Sequence, residues 1–95
     1  DVSDIINCNV LAESFEKSKA ISFNCWNKNE KWNGKILQTG TIESDKNYSC
    51  IISLEGSCFV NGTEVQEMDY ADLQRGKKYD IIVPDNSSTA LFELC

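Results

Sequence analysis

Five cysteines stand in this 95-residue chain, at positions 8, 25, 50, 58 and 95, and there is no histidine. Thiols can ligate metal, act as nucleophiles or pair as disulfides. No Cys-x-x-Cys pair occurs, and the two nearest cysteines, Cys50 and Cys58, are eight residues apart. Zinc sites take Cys or His ligands at closer spacing, so no metal site is expected. The lack of histidine removes Ser-His and Cys-His nucleophiles and His-metal centres. A reactive Cys58 would need a lysine or a helix end to form its thiolate, so a structural role is favoured. Disulfide use remains, and disulfides persist in oxidising compartments. The chain therefore reads as a small secreted domain held by covalent cross-links, with no cofactor. The spacing alone leaves open which thiols pair.

Other groups in the chain could also do chemistry. Glu64, Glu67, Asp69 and Asp72 form an acidic cluster. Paired carboxylates can do acid–base work, and clustered ones can bind calcium, but this spacing matches no EF-hand loop. A solvated face, able to steer a basic partner, is the expectation. Trp26 and Trp32 flank a polar stretch; they either cap the core or offer an interface anchor. Lys77 and Lys78 beside Arg75 make one small basic clump, expected to solvate a turn. Three sequons, at Asn47, Asn61 and Asn86, agree with export.

Composition bounds the class. The length suits one domain spanning residues 1–95, with a modest core in which cross-links matter. Fifteen acidic residues against nine basic ones give a net charge of −6. The single arginine and scattered lysines make nucleic acid and anionic membranes poor partners. No apolar run approaches the ~20 residues that span a bilayer. The chain opens at Asp1 without Met, as expected of a mature form whose signal has been removed.

The elements that must position these residues read as short alternating runs between turn residues, the pattern of an all-β sandwich or barrel. Strands are expected near 5–12, 19–26 and 35–43, the last with Gly40 as a bulge. The segment 27–33 reads as a loop. Tyr48, Cys50, Ile52 and Leu54 share one face of a fourth strand. Asn61-Gly62 between Cys58-Phe59-Val60 and Thr63-Glu64-Val65 predicts a type I′ hairpin. Residues 67–75 suit a single helical turn stopped by Gly76. Tyr79 to Val83 and Thr89 to Leu94 complete the set. The total is six or seven strands in two antiparallel sheets, with at most one short helix.

The opening Asn7-Cys8, the gaps from Cys8 to Cys25 and from Cys25 to Ser49-Cys50, and the run Ser49–Leu54 continuing through Phe59-Val60-Asn61-Gly62 to Val65-Gln66 carry a resemblance. Over residues 7–66 the chain resembles the MAX effectors, the Magnaporthe avirulence and ToxB-like family. The resemblance implies two three-stranded sheets packed as a sandwich, with disulfides Cys8–Cys50 and Cys25–Cys95. Cys58 is then free or an alternative partner for Cys8. Each bond would add about 4 kcal/mol by loop entropy. The thirty or so residues beyond the hairpin depart from the family pattern, and Ile81–Asp85 could supply its fifth strand.

The expectation is thus a secreted, non-enzymatic and monomeric fungal plant-pathogen effector. By resemblance it binds a host plant protein, such as a heavy-metal-associated domain of an immune receptor, through edge strands or loops after translocation into host cells. Two rivals stand beside it. One is a secreted adhesion or carbohydrate-binding module in which Trp26 and Trp32 stack on sugar. The other is a small hydrolase using two carboxylates, for which no motif speaks.

Overall fold

The computed structural model describes residues 22–27 and 30–94, with side chains from residue 32 onward. The expected strand at 5–12, with Cys8, and the terminal Cys95 lie outside the described residues. Among the described residues nine strands form: β1 (Ser22–Asn27), β2 (Glu30–Ile36), β3 (Gly40–Glu43), β4 (Ser49–Glu55), β5 (Cys58–Val60), β6 (Thr63–Val65), β7 (Tyr70–Leu73), β8 (Lys78–Ile82) and β9 (Ser88–Leu94). They build a five-stranded sheet in the order β1-β2-β9-β4-β7 and a four-stranded sheet in the order β3-β8-β5-β6. All pairings are antiparallel. The all-β sandwich of two antiparallel sheets read from the sequence is therefore present, with five and four strands in place of three and three. No helix occurs among the described residues, and so none is long and apolar enough to cross a membrane.

Alternation places the core. Cys58 and Val60 of β5, Val65 of β6, and Tyr79 and Ile81 of β8 meet Ile51 of β4, Leu73 of β7 and Leu91 of β9 between the sheets. On β4 and β9 the intervening residues are buried as well. Cys50, Ile52, Leu54, Ala90 and Phe92 join Trp32 in a second cluster, whose described members all belong to the five-stranded sheet. That sheet is thus buried on both faces. Strands buried on both faces lose the polar alternation of a half-exposed strand and read as near-continuous apolar runs.

Three local expectations change. Within the polar stretch 27–33, Asn27 ends β1 and residues 30–33 belong to β2, with Asn27 paired to Glu30 and Trp26 to Lys31. The ladder bonds come from the backbone, so polar side chains do not prevent the pairing. The run 35–43 is two strands in different sheets. The chain crosses between them at Leu37–Thr39, where Thr39 Oγ1 accepts from the Val83 amide at 2.9 Å. Gly40 is no bulge; it pairs with Ile81. The helical turn expected at 67–75 is replaced by β7, which pairs with β4 from Leu73–Ser49 to Tyr70–Ile52. Burying Leu73 against the inter-sheet core outweighs the weak local helix preference of these residues.

The hairpin at 58–65 forms as read. Val60 pairs with Thr63 across a turn in which Asn61 and Gly62 have φ of 49° and 80°. Asn61 also clasps β8: its amide donates to the Asp80 carbonyl, and its Oδ1 accepts from the Asp80 amide, both at 2.8 Å. A Cβ at Gly62 would meet no atom within 4 Å, so Gly62→Ala isolates the conformational term. We expect a loss of about 1 kcal/mol in urea unfolding at an unchanged slope.

Candidate functional site

The sequence placed its chemistry on sulfur and tryptophan, and the fold distributes these groups. Cys58 is a free thiol in the inter-sheet core. Cys50 lies on the opposite side of the five-stranded sheet, so the two do not face each other. Cys25 sits in β1, opposite Trp32 in the backbone register, and its side chain is not among those described. The pairings Cys8–Cys50 and Cys25–Cys95 therefore fall outside the described residues. Trp32 is only 2% exposed and packs in the cluster with Phe92, so its ring is not displayed. The Trp26 side chain is likewise outside the description.

The acidic cluster is used locally or left to solvent. Glu67 Oε1 accepts from the Gly56 amide at 2.9 Å, and Asp69 Oδ1 accepts from the Tyr70 amide at 2.9 Å. Glu64 and Asp72 are exposed. Among the described residues no group of three His, Cys, Asp or Glu side chains could hold a metal ion. The basic clump splits: the Lys77 ammonium lies 5.2 Å from the centre of the Tyr79 ring, while Arg75 turns toward Asn47.

What the fold does bring together is one end of the sandwich. The β3–β4 loop (residues 44–48), the β7–β8 turn (residues 74–77) and the end of β9 are tied to one another there. Gly76 N–H donates to the Ser44 carbonyl at 2.8 Å, and Leu94 N–H donates to the Tyr48 carbonyl at 3.0 Å. Ser44 Oγ donates to Glu93 Oε2 at 2.6 Å and accepts from the Lys46 amide at 3.2 Å. Arg75 Nη1 donates to Asn47 Oδ1 at 3.0 Å. These bonds frame a depression of about 310 Å³ lined by Asp45, Lys46, Asn47, Tyr48, Arg75 and Leu94. The mouth of a β-barrel is a recurrent place for ligands. Arg75 and Asn47 are 28 residues apart, so only the singularity of Arg75 hinted at this cluster in the sequence.

The inter-sheet space, by contrast, is filled. Ile51, Cys58, Ile81 and Leu91 are 0–3% exposed. In the five-stranded sheet three buried hydroxyls, Ser49 Oγ, Ser88 Oγ and Thr89 Oγ1, make no hydrogen bond among the described residues. A buried unmade hydrogen bond costs more than an apolar atom in its place. Thr89→Val should therefore leave stability unchanged or raise it by about 1 kcal/mol in thermal unfolding. A loss of similar size would show that the hydroxyl has a partner.

No protein-family model matches the chain, and no curated protein matches it. Solved structures do. A cupin-2 domain containing protein from Shewanella frigidimarina NCIMB 400 superposes with a TM-score of 0.62 at 9% identity, over 95% of this chain and 99% of that one. Protein NMB1881 from Neisseria meningitidis gives 0.60 at 15% identity, over 78% and 83%. The Cnp3 cupin domain of Schizosaccharomyces pombe gives 0.53 at 13% identity, over 78% of this chain and 59% of that chain.

These likenesses overturn the functional reading drawn from the effector resemblance. The chain's fold is like that of a bacterial cupin-2 domain containing protein and of a yeast cupin domain, so the effector, virulence and avirulence assignments do not stand. Nor do these relatives support the adhesion or carbohydrate-binding alternative. Of the features that carried the resemblance, Asn7-Cys8 lies outside the described residues, and the run from Ser49 to Gln66 forms β4 and the β5–β6 hairpin. An alternating strand followed by an Asn-Gly turn recurs in many antiparallel folds and specifies none of them. The chain has the two-sheet fold of cupin-2 domain proteins.

Proposed function

We propose that this chain is a non-enzymatic, cupin-fold binding domain that takes its ligand on its surface and leaves the space between its sheets closed. The observation that carries this reading is the content of that space. Ile51, Cys58, Tyr79, Ile81 and Leu91 fill it from both sheets, and all are buried. Such a layer has the make-up of a packed core, whose polar atoms include the Cys58 thiol and the Tyr79 hydroxyl, which accepts from the Gln74 amide at 2.9 Å. It offers neither room for a substrate nor the carboxylate and imidazole donors that hold a hard divalent cation. The end of the sandwich, with its depression and its arginine, is the better-equipped surface. The net charge of −6 supports a partner other than nucleic acid.

Equilibrium dialysis of the purified protein against Mn²⁺ and Fe²⁺, followed by elemental analysis, tests the reading. Metal content well below one equivalent per chain is expected. A stoichiometric ion that survives gel filtration would contradict it.

A further inference from the structure

We infer that the depression at the end of the sandwich binds a small planar anion, an aryl carboxylate, between Arg75 and Tyr48. The inference rests on the surface-binding reading above and names its ligand. Four observations meet at this place.

Arg75 is the only arginine of the chain, and it is held in position by one bond, from Nη1 to Asn47 Oδ1. A guanidinium has five N–H donors in a planar fork that matches a carboxylate. Among the described residues no carboxylate is paired with it. Lys46 adds a second exposed cation to the lining, and Asp45 is its one acid. The lining thus carries two cations against one acid, with the Glu93 carboxylate beside it engaged by Ser44 Oγ, in a chain whose net charge is −6.

Tyr48 is 65% exposed, the most exposed large apolar side chain among the described residues. Its backbone is fixed by the Leu94 amide, so the ring is presented from an ordered segment. Leu94, half-buried and packed on the cluster with Phe92, gives the depression an apolar wall. A volume of about 310 Å³ is at the small end of ligand pockets, ~300–1,000 Å³, and suits a body of one or two rings. An aromatic wall, an apolar wall and a cationic fork select a flat apolar body that carries one carboxylate.

The experiment is an NMR titration of the full chain with 2-naphthoate. Amides of Lys46, Asn47, Tyr48, Arg75 and Leu94 should shift together, with a Kd of about 1 mM or tighter. The neutral 2-naphthamide should bind about tenfold more weakly, as should naphthoate to Arg75→Ala, with Arg75→Lys between the two. Tyr48→Ala should lose several-fold. Lys78→Ala, on the outer face of β8, should bind as the parent does. Each variant's spectrum is first checked for the native fold, which the exposed positions of Arg75 and Tyr48 favour.

Equal affinity for naphthoate and naphthamide would overturn the inference. So would unchanged binding by a folded Arg75→Ala, or no shift at the named amides. In those cases the broader reading stands if the methyls of Ile51, Ile81 and Leu91 stay unperturbed. Shifts centred on those methyls would place the ligand between the sheets and overturn that reading too.

Discussion

Replacing Phe92 with alanine lowers stability by about 3–5 kcal/mol, enough to leave the domain partly unfolded at 37 °C. Phe92 lies near the middle of β9, the strand paired with both β2 and β4. Its backbone partners are Gly34 on one side and Cys50 on the other. The ring is fully buried in the cluster with Trp32, Ile52 and Leu54. Its direct partner in β2 is a glycine, so no side chain stands opposite the ring to fill the space it leaves, and Trp32 and Ile36 only flank it. The cavity term then adds to the lost transfer free energy. Denaturant unfolding followed by circular dichroism measures the loss. A cost below about 1 kcal/mol would mean that this face is open to solvent or free to collapse. Phe92→Leu should retain most of the stability, since it keeps an apolar body in place.

The second large effect is expected at Gly56→Ala, at the other end of the five-stranded sheet. Gly56 has a φ of +64°, and its ideal Cβ would lie 2.5 Å from Ser87 Oγ, 3.3 Å from Ser87 Cβ and 3.5 Å from Ser87 Cα. The residue is pinned where it is. Its carbonyl accepts from Ser53 Oγ at 2.6 Å, and its amide donates to Glu67 Oε1 at 2.9 Å. Ser87 is equally constrained, because its amide donates to the Pro84 carbonyl at 2.9 Å. Alanine therefore meets both a left-handed backbone and a clash, and a loss of about 2–3 kcal/mol is expected. The double variant Gly56→Ala/Ser87→Ala removes the Oγ contact and leaves the backbone term. It should recover about 1 kcal/mol relative to the sum of the single changes. Strict additivity would show that the hydroxyl simply rotates away. Gly62→Ala, with the same sign of φ and no neighbour, is the built-in reference for the backbone term alone.

Much of the sandwich was legible in the sequence because period-two alternation is a direct image of burial on a strand. Tyr79 and Ile81 point inward between Lys78, Asp80 and Ile82, as their types require. Cys50, Ile52 and Leu54 share a face. The Asn-Gly turn fixed its hairpin because few other residues tolerate two successive positive φ angles. What escaped has physical causes. The strand read near 19–26 is β1, but β2 begins in polar residues, so only its pairing with β1 and β9 reveals it. The crossing between sheets at Leu37–Thr39 is held by a threonine that bonds Val83, 44 residues on. Strand β7 exists through its pairing with β4, a tertiary effect absent from its local sequence. Sheet order is likewise non-local: β9 inserts between β2 and β4, and no short window contains that fact.

Cysteine spacing and one hairpin point toward an effector function because neither encodes the topology of the sheets. Five thiols and an Asn-Gly turn are compatible with many small β folds. The depression at the sandwich end was invisible for the opposite reason. Its residues are of ordinary type, and only the closing of the β3–β4 loop on the β7–β8 turn assembles them.

The account depends on the space between the two sheets being closed. Methyl relaxation in the presence of a soluble gadolinium chelate measures this directly. Ile82, 51% exposed on the outer face of β8, should relax strongly, while Ile51, Ile81 and Leu91 stay protected. Comparable relaxation of Ile81 and Ile82, which are adjacent in β8 but face opposite ways, would mean an open interior and would contradict the account.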